Sequence, residues 1–108
     1  MDKGTVVFIP CAFKRGGFPS ERLFIIRARG GGELSGVADV QYCSRHDGSP
    51  VGDEPPEGEE IEGRLLGLVV RPPGDASVRV HLPDGEVYDL DRAIVVPARA
   101  ANSRHVPI

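Results

Sequence analysis

The chain has no tryptophan, one methionine, two cysteines and only 6% aromatic residues. So few rings leave little material for an aromatic cage or a base-stacking platform. Long apolar runs are also missing. None approaches the roughly 18 residues of a membrane span. The first run, Thr5–Ile9, is shorter than the about 7–15 residues of a signal-peptide core. The expectation is therefore a cytoplasmic address without membrane contact, with Cys11 and Cys43 as reduced thiols. No stretch carries helical periodicity over about 10–12 residues, and no internal repeat is visible.

A dominant charge sign is absent as well. The net charge of −3 is unevenly spread: residues 1–46 carry seven cations against four acids, and residues 47–62 carry seven acids and no cation. A global basic footprint for nucleic acid is missing.

Turn formers and β-branched residues are plentiful. Fourteen Gly and ten Pro in 108 residues imply many reversals, and the Val and Ile content suits a pleated surface. The reading is all-β, one domain over residues 1–97, with 98–108 as a tail. Thr5–Ile9 reads as a buried strand ending at Pro10, and residues 11–21 as turn chemistry. Arg22–Ala28 is a second strand, followed by a Gly30-Gly31-Gly32 reversal. Leu34–Tyr42 is a third, with a bulge or close backbone approach expected around Val37. Residues 47–60 combine Gly, Pro and acids and read as an exposed, mobile acidic loop, anchored by nothing apolar except Val51.

The second half is more sharply punctuated. Arg64–Arg71 is a strand, and Pro72-Pro73-Gly74-Asp75 turns the chain. Ser77–Leu82 alternates, placing Val78, Val80 and Leu82 on one face. Pro83-Asp84-Gly85 signals a hairpin, Val87–Leu90 returns, Asp91-Arg92-Ala93 fits a single helical turn, and Ile94–Val96 closes the domain. This order over residues 64–96 resembles the end of an SH3-like barrel, as in Tudor and KOW domains. The resemblance implies a small barrel, into which the acidic loop would be a long insertion, and it carries no function with it.

Four constellations bear on chemistry. Cys43 and His46 are spaced to meet in a turn, as a thiol nucleophile and its base would, but no orienting group or oxyanion-hole motif accompanies them. Cys11, Cys43, His46 and His81 make a Cys2His2 set with only one close pair, so no metal and no cofactor is expected. A Cys11–Cys43 disulfide is the other use of the thiols. The triple glycine lacks the Lys-Ser/Thr of a phosphate-binding loop, so a hairpin turn is the reading there. Lys14, Arg15, Phe18 and Arg22 mark a basic loop with one aromatic, the candidate binding surface. The expected function is a non-enzymatic interaction module with a protein partner. The alternatives are a nucleic-acid-binding barrel using that loop and, last, a Cys-dependent enzyme. The acidic loop is either a solvated spacer or a docking site for a basic partner.

Overall fold

The computed structural model of the protein describes residues 1–28, 31–74 and 76–98. The chain is all-β, as the turn formers and β-branched residues imply. It forms β1 (Val6–Arg15), β2 (Glu21–Arg27), β3 (Glu33–Asp39), β4 (Cys43–Ser44), β5 (Ile61–Arg71), β6 (Ser77–His81), β7 (Val87–Asp91) and β8 (Val96–Pro97). Two 3-10 turns lie at Val40–Tyr42 and Arg92–Ile94. Arg29 and Gly30 of the glycine reversal, Asp75, and the tail beyond Ala98 lie outside the described residues.

The chain divides into two compact units: residues 1–9 with those from Leu66 onward, and Pro10–Leu65. Strands β1 and β5 contribute residues to both.

In the first unit the strand order is β8-β1-β5-β6-β7. The β8 pairs are Val7↔Pro97 and Phe8↔Val96. Gly4 donates to the Val69 carbonyl at 2.8 Å and Val69 to that of Thr5 at 2.9 Å. The β6 alternation holds: Val78, Val80 and Leu82 are buried, and Ser77 and His81 are exposed. Strand β7 follows through the Pro83-Asp84-Gly85 turn, closed by Leu82 N–H on the Glu86 carbonyl at 2.9 Å. The Asp91 carboxylate accepts from Ala93 N–H at 2.8 Å and starts the expected helical turn. Val7, Ile9, Val69, Leu90 and Val95 are buried with them.

In the second unit β1, β2 and β3 form a meander. Its pairs run Ala12↔Ile25 to Arg15↔Arg22 and Glu21↔Asp39 to Arg27↔Glu33. Strand β4 pairs with β5 through Cys43↔Leu65 and Ser44↔Arg64. Phe13, Phe24, Ile26, Ala38, Cys43, Val51 and Leu65 are buried here.

Three local expectations are corrected. The first strand does not stop at Pro10 but runs on to Arg15. Pro10 falls between the residues paired with β8 and those paired with β2, so neither of those two ladders calls on its missing N–H. The third strand ends at Asp39, because the Asp39 carboxylate accepts from Gln41 N–H at 3.0 Å and turns the backbone into a 3-10 turn. No register shift occurs at Val37, where seven consecutive residues pair. The irregularity instead lies between Val69 and Arg71 opposite β6.

Candidate functional site

The four residues singled out from the sequence do not share one surface. Lys14 and Arg15 belong to β1, and the pleat sends consecutive side chains to opposite faces. Lys14 shares its face with Leu23, Ile25 and Arg27 of β2. There its ammonium lies 4.0 Å from Glu60, which also takes a paired bond from Arg27 at 3.0 and 2.8 Å. Arg27 holds the Glu60 carboxyl below the usual range, with Lys14 adding to the effect. Arg27 further donates to Glu33 at 2.9 Å.

Arg15 lies on the other face, with Phe13, and its Cα is directly opposite that of Arg22. The hairpin between them is tight. A Cβ on Gly16 would come within 2.7 Å of the Glu21 carbonyl oxygen, so this position takes only glycine without a backbone shift. The turn is closed by Glu21 N–H on the Phe18 carbonyl at 3.0 Å. Phe18 at its tip is 66% exposed, the largest value among the exposed large apolar side chains of the described residues. It is not folded onto the core.

Arg22 is a core residue, only 2% exposed. Sequence reasoning counted it with the surface cations. Its alternation with Phe24 and Ile26 instead turns it inward. Its guanidinium donates to the carbonyls of Pro19 and Glu21, both at 2.8 Å, and of Gly52 at 3.0 Å. Its Nε–H finds no acceptor among the described residues. Arg15 donates to the Pro55 carbonyl at 3.2 Å and sits 3.7 Å from a Glu54 carboxylate oxygen. Arg15, Pro19, Arg22, Val40, Gly52, Asp53 and Glu54 line an open cleft of about 490 Å³.

The segment between β4 and β5 is exposed over most of residues 47–60, as expected, but it is pinned at several points. Val51 is 1% exposed, Pro55 is buried, and three of its carbonyls receive arginine bonds. Nothing in the run of acids and glycines signals this, because carbonyl acceptors are common to all residues. The visible hint was Val51, an isolated apolar residue among acids.

Cys11 and Cys43 are buried free thiols. Burial pushes the Cys43 thiol up to about 12, with Arg22 pulling it down and Asp39 pushing it up. Burial also raises the Cys11 thiol, with smaller contributions from Cys43 and Glu62. His46 and His81 are exposed. Among the described residues no three His, Cys, Asp or Glu side chains are grouped to hold a metal ion, and no helix is long and apolar enough to cross a membrane. Comparison with family models, curated proteins and solved structures finds no match to this chain.

Proposed function

We propose that this chain is a non-enzymatic interaction module that engages a protein partner through the tip of the β1–β2 hairpin, with Phe18 as the apolar anchor. The observation that carries this is the combination of exposure and fixation at Phe18. Singly exposed apolar side chains are ordinary. Phe18, however, is 66% exposed on a turn held by its own backbone bond and by the buried Arg22 bond to Pro19. A turn whose backbone is already held loses little backbone entropy on binding, and burying its aromatic is worth about 2–3 kcal/mol.

The first unit supports an SH3-like reading of residues 1–9 and 66–97. A five-strand order β8-β1-β5-β6-β7, with a 3-10 turn before the last short strand, is the connectivity such barrels use. On that reading Pro10–Leu65 is an elaboration between the barrel's first two strands, and the hairpin tip belongs to it. Two unpaired thiols suit a reducing, cytoplasmic setting. The buried, raised Cys43 thiol argues against a Cys-dependent enzyme. The ion pairs on Lys14, Arg15 and Arg27 weigh against a phosphate-tracking surface.

The test is photo-crosslinking from a benzoylphenylalanine at position 18, in the cell the chain comes from. A discrete protein adduct is expected, competed away by excess wild-type chain and not by the Phe18→Asp variant. An adduct with nucleic acid, or none beyond that formed from an exposed control position such as Glu57, overturns the reading.

A further inference from the structure

The cleft between Arg15 and Arg22 has an electrostatic arrangement that the fold alone does not require. Like charges directly opposite each other on paired strands repel, yet the sheet places these two cations on one face, Cα opposite Cα. A buried guanidinium is costly unless it is paired or fully hydrogen-bonded. Arg22 is almost wholly buried, and its bonds go to neutral carbonyls. No carboxylate is in ion-pair contact with it among the described residues, and its Nε–H is unpartnered. The nearby Cys43 thiol is neutral and supplies no countercharge. Arg15 has a carboxylate beside it, but Glu54 stands at 3.7 Å, an ion-pair distance without a hydrogen bond.

We infer that this cleft is a carboxylate-binding site, floored by Arg22 and flanked by Arg15, with Glu54 competing for Arg15 in the free protein. Arg15, half exposed and with only its Nε engaged, offers the planar fork that meets a carboxylate in two-point contact, while Arg22, its Nη groups held by carbonyls, adds its positive charge from below. The walls select a single negative charge, because Asp53 and Glu54 also line the cleft and repel a dianion more strongly than a monoanion. The inference rests on the interaction reading only for its biological source: Pro19 lines the cleft and follows Phe18, so the ligand is a carboxylate on a partner protein, set close to the apolar group that meets Phe18.

The experiment needs no partner. The 15N-labelled chain is titrated with acetate, with inorganic phosphate and chloride at matched ionic strength as separate arms. The arginine Nε–H signals of Arg15 and Arg22 and the amides of Gly52 and Asp53 are followed by NMR. Acetate should shift these signals saturably, and more strongly than either other anion. Glu54→Gln should tighten acetate severalfold, and Arg15→Gln, checked as folded by circular dichroism, should abolish saturation. Acetate behaving as chloride in both wild type and Glu54→Gln overturns the site. Phosphate binding tighter than acetate overturns the assigned ligand class. Failure of the Phe18 crosslink leaves this titration standing, and the converse also holds, so the two readings fail separately.

Discussion

Arg22 and Leu23 are adjacent in sequence, yet one lies in the core beside a cleft while the other faces away from it. The residues 23–26 are all apolar, so period-two alternation is invisible there, and composition favours an exposed arginine over a buried one. Pairing with β1 decides the matter, because Phe13 and Phe24 share the buried face and carry Arg22 with them. In β6 the alternation is explicit and the faces were legible. Val80 is fully buried, and Arg79 pairs at the surface with Asp89 at 3.0 Å. Val80→Ala should cost about 1–3 kcal/mol in denaturant melts, whereas Arg79→Ala should leave the midpoint nearly unchanged, because exposed ion pairs contribute little. The reverse order would place the wrong face inward. The thiols give a second check at this scale. A group raised to about 12 is ionised to only about one part in ten thousand at pH 8. Alkylation of Cys43 in the folded chain should be far slower than in urea, and rapid labelling of the native protein would restore the nucleophile reading.

Strands announced themselves where turn chemistry bounded them and were misjudged where it did not. Pro83-Asp84-Gly85 forms its hairpin with Gly85 at φ +88°, as an Asp-Gly pair between alternating residues requires. Pro10 was a false stop, since proline ends a strand only where a ladder bond is needed from its nitrogen. The pinning of the segment between β4 and β5 was not legible, because what holds it is arginine donation to backbone carbonyls from strands distant in sequence. Strand β5 adds a requirement that no pattern reveals. A Cβ at Gly67 would lie 2.7 Å from Val80 Cγ1, 3.0 Å from Ile9 Cδ1 and 3.2 Å from Leu82 Cδ2, and all three side chains are fully buried. Gly67→Ala therefore overpacks the first unit and should destabilise it by about 1–3 kcal/mol, although alanine would ordinarily be the better strand residue. An unchanged or raised melting temperature would mean that this core has room to give.

For the chain as a whole, charge separates the two binding classes. Polynucleotide affinity at low salt comes from cations whose contacts release condensed counterions from phosphates, so those cations must be accessible and share a track. This chain carries a net −3. Its basic N-terminal stretch is met by the acids of residues 47–62: Lys14 and Arg27 by Glu60, and Arg15 by Glu54. Lys14 and Arg15 face opposite sides of β1, and Arg22 is buried, so no single phosphate track reaches all three. A labelled single-stranded oligonucleotide should show no saturable anisotropy change with the wild-type chain, even at low salt. The double variant Glu54→Gln, Glu60→Gln removes two negative charges and releases Lys14 and Arg15 from their acidic partners, while Arg27 keeps Glu33. At most it should bind weakly, with an affinity that collapses as salt rises, since its cations remain divided between two faces. Wild-type binding with a steep salt dependence would instead make the hairpin a nucleic-acid contact. Loss of that binding in Lys14→Glu but not in Arg15→Glu would then identify the face that carries it.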